Sequence, residues 1–173
     1  MQNILSMIAP QPSALGQMIL KTNERTAKYG LILTNTQAME IAVTYHTALL
    51  ENRIIEVGCG GVSKLIEAFA ASSFVYADNY ADVIHEMTEA FYHIKREVPI
   101  EINDDAVIAA MVDFFENASH GSIELFLGRD MDILIRYITK GTRNWEEHPN
   151  YQLKEEDSYD AAPDYTSAYA EDF

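Results

Sequence analysis

Basic side chains, cysteine and long apolar runs are all scarce in this chain, and each shortage argues against a class of protein. The 173 residues include 12 lysines and arginines against 27 acidic residues, so the formal net charge is -15. A field this negative repels phosphate backbones, which argues against direct binding to nucleic acid. The same charge favours solubility, or a basic protein partner.

The single cysteine, Cys59, cannot form an internal disulfide and is typical of a protein in a reducing compartment. No apolar run approaches the length that crosses a bilayer. The first ten residues lack the basic region that begins a signal peptide. We therefore expect a cytoplasmic protein that does not interact with a membrane.

The charge divides the chain into two parts. Residues 142–173 contain nine acidic residues against Arg143 and Lys154, a net charge of -7, which leaves -8 for residues 1–141. This C-terminal segment shows neither a helical stripe nor strand alternation. We predict a helical domain over 1–141 and a mostly irregular, acidic, tyrosine-rich tail over 142–173. Trp145 and the tail tyrosines could anchor a partner, although a solubilising tail explains them equally well.

Apolar residues recur at helical spacing through most of the first part. The clearest stripe runs from Tyr80 to Ile94, and Gly128 is expected to split the last helical stretch in two. Helix starts are marked by N-cap residues: Thr34 forms a capping box with Gln37, and Asn103 and Ser122 precede later stripes.

Only Leu31–Leu33 and Arg53–Val57 have the character of strands. The predicted fold is therefore mainly α: a compact bundle of about six helices, with these two segments as a possible short two-stranded β ribbon.

The segment Ile54-Ile55-Glu56-Val57-Gly58-Cys59-Gly60-Gly61 resembles the first motif of S-adenosylmethionine-dependent methyltransferases. That motif consists of a hydrophobic strand, an acidic residue and a glycine turn against the cofactor. The resemblance implies that Gly58 and Gly60 allow the backbone to approach the cofactor. It also implies that Asp78, twenty residues after Gly58, binds the ribose hydroxyls.

Three departures argue against that function. Val62 stands where the family usually has a third glycine, and the segment before Asp78 is a poor strand. The methyltransferase fold needs about seven strands in alternation with helices, whereas helical periods follow Asp78. We therefore predict no cofactor and interpret the glycines as a bend between a short strand and a helix.

Two further groups of residues could carry chemistry. Cys59 could be a nucleophile near the N-terminus of a helix starting about Ser63, where the helix dipole lowers a thiol pKa, but a small semi-buried filler is the simpler interpretation. His85, Glu89 and His93 have the i, i+4, i+8 spacing that lines up three metal ligands on one helix. They are predicted to lie on a solvated polar face, and no metal is expected.

Several short motifs resemble a small bacterial family of unknown function, found largely in Firmicutes. The resemblance runs from about residue 1 to residue 137, leaves out the acidic tail, and implies that the glycine turn belongs to a helical domain. It transfers no catalytic residues. The motifs are Tyr29-Gly30-Leu31-Ile32-Leu33, Glu56-Val57-Gly58, Lys64-Leu65-Ile66-x-Ala68-Phe69, Asn79-Tyr80, Phe91-Tyr92 with Lys95, and Gly121-Ser122-Ile123-Glu124.

The sequence contains no complete catalytic set. The leading hypothesis is a non-enzymatic cytoplasmic protein that acts through contact with a protein partner. One alternative is a divergent methyltransferase that uses Gly58, Gly60 and Asp78. A second is an acidic mimic of nucleic acid, which would array carboxylates at phosphate-like spacing on one face.

Overall fold

The computed structural model describes residues 11–141, and helices dominate this part of the chain. Six of them are nine or more residues long. In chain order they are Pro12–Leu20 (α1), Asn35–Asn52 (α2), Gly60–Ala70 (α3), Tyr80–Glu97 (α4), Asp104–Asp113 (α5) and Met131–Lys140 (α6). The mainly α bundle of about six helices is therefore confirmed. The predicted tail over 142–173 lies outside the described residues.

Shorter helical turns connect the long helices. A one-turn helix at Asn23–Thr26 continues into a 3₁₀ turn at Ala27–Tyr29, and another one-turn helix lies at Ile123–Leu125. Wide π turns at Phe114–Ala118 and Phe126–Asp130 follow α5 and precede α6. Gly128, expected to divide the last stretch, lies in the second π turn.

The helix starts follow the local chemistry of the sequence. The Thr34 hydroxyl accepts from the Gln37 amide at 3.2 Å, and the Gln37 side chain accepts from the Thr34 amide at 2.9 Å, which confirms the capping box. Asn103 and Ser122 likewise cap their helices by accepting from the amides of Ala106 and Leu125. In each of these interactions the two residues are three positions apart, so the local sequence is enough to predict it.

The possible β ribbon does not form, because no strand occurs among residues 11–141. The Asn23 side chain donates to the Leu33 carbonyl at 2.9 Å and accepts from the Leu33 amide at 2.8 Å. It thereby satisfies the backbone groups that a partner strand would have paired. After α2, Arg53 adopts a left-handed conformation and the Ile54 amide donates to the Leu49 carbonyl.

Aromatic side chains fill the core between the helices. The ring of Phe115 meets those of Phe69, Phe74 and Phe126 edge-on, with ring centroids 5.5 to 6.4 Å apart. Edge-to-face pairs of this kind stabilise beyond simple burial. Helix α2 packs against both α1 and α4, and α3 packs against α4 and α5. None of the described helices is long and apolar enough to cross a membrane.

One buried carboxylate joins the two π turns. Asp130 is fully buried, accepts from the Ser119 hydroxyl at 2.8 Å and pairs with Arg129 at 2.6 Å. A buried charge is tolerated when it is paired and hydrogen-bonded, so this contact fixes the second π turn against Ser119, the residue that follows the first.

Candidate functional site

The acid–glycine turn, residues 53–61, runs from the end of α2 into the first two residues of α3 and is the candidate functional site. Helix α3 begins at Gly60, about one turn earlier than the start near Ser63 that the sequence predicts. Gly58 has a φ of +78°, a left-handed conformation that favours glycine, and its carbonyl accepts from the Tyr45 hydroxyl at 2.7 Å. The turn is thus fixed to the middle of α2 rather than extended as a strand.

The Glu56 carboxylate is the centre of this turn. One oxygen, Oε1, accepts from the Gly61 amide at 2.8 Å, and the other, Oε2, accepts from the Tyr92 hydroxyl at 2.7 Å. The side chain is 12% exposed. Cys59, the residue at the N-cap of α3, provides no side-chain cap. Glu56 therefore takes over that role from outside the helix, where its negative charge also favours the helix N-terminus.

A side chain at Gly61 would crowd this carboxylate and the tyrosine hydroxyl that it binds. A Cβ at Gly61 would lie 2.9 Å from the Tyr92 hydroxyl oxygen, closer than real Cβ atoms approach, and 3.0 Å from Glu56 Oε1, which is tighter than most real contacts. A Cβ at Gly60 would have no neighbouring atom within 4 Å. The two adjacent glycines therefore differ: one makes room for an internal hydrogen-bonded pair, and the other is sterically free.

Two buried tyrosines, Tyr45 and Tyr92, donate the hydrogen bonds that hold the turn in place. The rings of Tyr45 and Tyr92 lie 5.4 Å apart between centroids. Burial raises the pKa of the Tyr92 hydroxyl far above its usual range, and the nearby Glu56 carboxylate raises it further. Burial and then Glu56 also raise the pKa of Tyr45. Both hydroxyls therefore remain protonated at physiological pH and act as hydrogen-bond donors, not as bases.

Lys95 extends the cluster to the next helix. Its ammonium lies 2.9 Å from Asp104 Oδ1, at the start of α5, and 4.0 Å from Glu56 Oε2. It also lies over the rings of Phe91 and Tyr92, 5.8 and 6.0 Å from their centroids. One cation thus joins the turn, α4 and α5 by charge and by cation–π contact.

The cysteine of the turn, Cys59, is buried and is not accessible at the surface. Cys59 is 5% exposed, and its sulfur lies 3.3 Å from the Ser63 hydroxyl, one helical turn later. Thiol reactivity requires access as well as thiolate character. Cys59 is more deeply buried than the semi-buried filler that the sequence predicts.

Asp78 lies before the start of α4, whereas the glycine turn is contacted from the other half of that helix. Tyr92, near the C-terminal end of α4, contacts the turn, whereas Asp78 is exposed two residues before α4 begins. At about 1.5 Å per residue, the helix from Tyr80 to Tyr92 spans about 18 Å. The segment Ile54–Val57 is not a strand, and the Gly61 amide is already bound by Glu56.

His85, Glu89 and His93 lie on the outer part of α4, partly or largely exposed. His85 Nδ1 is 3.7 Å from Glu86, and His93 Nδ1 is 3.3 Å from an Arg96 nitrogen. Among residues 11–141 no three His, Cys, Asp or Glu side chains converge to hold a metal ion. The three residues instead line a groove between α2 and α4.

Sequence reasoning identified the turn but missed the residues that hold it. Tyr92 and Lys95 lie 36 and 39 positions after Glu56, and Tyr45 lies 11 positions before it. The motifs Glu56-Val57-Gly58 and Phe91-Tyr92 with Lys95 were both visible as separate features. Their pairing depends on how α4 passes the turn, which no local pattern encodes.

These features define an all-helical domain, over the part that the structure describes, built around a tethered acid–glycine turn. The profile of a family described as "Family of unknown function (DUF6323)" matches residues 18–144. This match covers most of the chain, and the protein belongs to that family. Neither the curated proteins nor the solved structures contain a match to the chain.

Proposed function

We propose that the protein acts by binding another protein, and that the acid–glycine turn is one of its contact surfaces. The observation that carries this proposal is the exposure of Ile55 and Val57, which are 62% and 93% exposed on either side of the largely covered Glu56. Single exposed aliphatic side chains are common on protein surfaces. Two that flank a hydrogen-bonded anchor in a fixed turn are a better candidate for a contact.

The anchoring of the turn lowers the entropic cost of such a contact. Glu56 is bound at both oxygens, and the Gly58 carbonyl is bound by Tyr45. Residues already held in one conformation lose less freedom on association, so more of their burial free energy appears as affinity. The Met18 methyl group lies 3.7 Å from the position of a Cβ on Gly58, and Met18 is 36% exposed, which extends the apolar surface.

The experiment compares two matched substitutions in the full chain. Ile55→Asp places a charge on the proposed surface. Ile32→Asp places the same charge on a residue that is 63% exposed. Ile32 precedes the N-terminus of α2, whereas the acid–glycine turn follows its C-terminus. Affinity purification from the native cells, followed by quantitative mass spectrometry, measures the partner retained by each variant, and thermal unfolding verifies that both fold.

A partner that binds the unmodified chain and Ile32→Asp, but is lost about tenfold or more with Ile55→Asp, would support the proposal. Equal retention by the two variants would refute the assignment of this surface. Titration of the same protein with S-adenosylmethionine separates the methyltransferase alternative, since our proposal predicts no heat of binding.

A further inference from the structure

A groove on a different part of the surface has an apolar floor and an acidic rim. It runs between α2 and α4 and consists of two adjoining cavities of about 360 and 180 Å³ that share Glu51 and Glu89. Its lining residues come from α2, α4 and the region around Met131, and none comes from the acid–glycine turn. The groove is therefore separate from the contact surface proposed above.

A small, buried apolar side chain lines each of the two cavities. Ala48 of α2 and Ala90 of α4 are 2% and 3% exposed, and both line the groove. Leu127 and Met131 close one end and are partly exposed. Methionine adapts its shape to different apolar ligands, which suits the wall of a binding groove.

The rim carries more negative than positive charge. Glu51, Glu86 and Glu89 line the larger cavity, against the single cation Arg96. Arg96 is already paired with Glu97 at 2.9 Å and contacts His93. Glu51 and Glu89 form no ion pair with any cation in the described part of the chain. Their charges remain available to a ligand.

We infer that this groove binds a basic amphipathic helix of a partner protein. Aliphatic stems of lysine or arginine can lie along the apolar floor while their charged ends reach Glu51 and Glu89. The stretch of α4 from His85 to Arg96 spans about 16 Å at 1.5 Å per residue, enough for about three turns of a bound helix. An amphipathic helix laid in a groove between two helices is a recurrent mode of recognition.

The probe is a synthetic amphipathic helix with leucines on one face and lysines on the other. Its binding to the full chain is measured by fluorescence anisotropy at two salt concentrations. Two control peptides replace the lysines by glutamates or the leucines by serines. If the groove binds a basic amphipathic helix, only the peptide with both leucines and lysines binds, and added salt weakens its binding.

Paired substitutions separate the groove from the general negative field. The variant Glu51→Gln with Glu89→Gln removes two charges from the rim. The control variant Asp78→Asn with Glu101→Gln removes two charges from exposed positions outside the groove lining. We expect the groove variant to weaken peptide binding about tenfold and the control variant to weaken it much less.

Equal loss in both variants would show that only the net charge attracts the peptide and would overturn the inference. Equal binding of the serine peptide would overturn it as well, because the apolar floor would then contribute nothing. These outcomes do not depend on Ile55, so a failure here leaves the proposed contact at the acid–glycine turn intact.

Discussion

At the scale of single residues, neighbouring glycines in the turn have opposite requirements. Gly61→Ala would force a Cβ against the Tyr92 hydroxyl and the Glu56 carboxylate, and we expect the free energy of unfolding to fall by about 1–3 kcal/mol. Gly60→Ala meets nothing and should be neutral or stabilise by up to about 1 kcal/mol. Urea denaturation of both variants tests this, and equal effects would contradict the distinction.

Two buried tyrosines provide a second matched comparison. Tyr92→Phe leaves Glu56 Oε2 without its donor and should cost about 1–3 kcal/mol of unfolding free energy. The Tyr80 hydroxyl makes no hydrogen bond of normal geometry. It lies beside Thr26, but the Thr26 hydroxyl donates to the Leu31 carbonyl instead. Tyr80→Phe should therefore be nearly neutral or stabilising. A larger loss for Tyr80→Phe than for Tyr92→Phe in the same denaturation assay would show that the Glu56 contact is unimportant.

At the scale of elements, the ends of helices are set by local hydrogen bonds. Thr34→Ala removes the cap of α2 and should lower the free energy of unfolding by about 1 kcal/mol. Thr36→Ala changes an exposed threonine two residues further on and should have an effect within about 0.5 kcal/mol. Thermal unfolding of both variants measures the difference, which should disappear if the α2 N-terminus is frayed in solution.

The sequence predicted those elements whose determinants are close together along the chain. The Thr34 cap and the Tyr80–Ile94 stripe needed only a few neighbouring residues, and both were confirmed. The ribbon over Leu31–Leu33 was not, because the Asn23 side chain replaces a partner strand. Such a substitution depends on the path of the chain between residues 23 and 33, which hydrophobic alternation does not reveal.

The start of α3 shows the same limit at the candidate site. The sequence predicts a helix that begins near Ser63, and the two glycines before it have low helix propensity. The Glu56 carboxylate supplies the missing cap from outside the helix and allows it to begin at Gly60. The identity of the turn could be derived from its sequence, but its purpose as a tether to α4 could not.

At the scale of the whole molecule, the buried tyrosines link stability to alkaline pH. The pKa values of Tyr45, Tyr80 and Tyr92 are all raised above the ordinary value of 10.0, chiefly by burial. Their stabilising contribution is complete below about pH 10 and is lost as the pH rises, because the unfolded chain releases these protons first.

Each such tyrosine lowers the free energy of unfolding by at most about 1.4 kcal/mol per pH unit above pH 10. Denaturation curves at a series of alkaline pH values measure the slope, and Tyr92→Phe should make it shallower. A stability that stays constant through this range would contradict the burial of the three hydroxyls.

The central claim is that the acid–glycine turn is an internal tether between α3 and α4. A double-mutant cycle with Glu56→Ala and Tyr92→Phe tests it most directly, because it isolates the interaction of the two side chains. We predict a coupling free energy of about 1 kcal/mol or more in the stability of the folded chain. Additive effects, within about 0.5 kcal/mol, would contradict the tether.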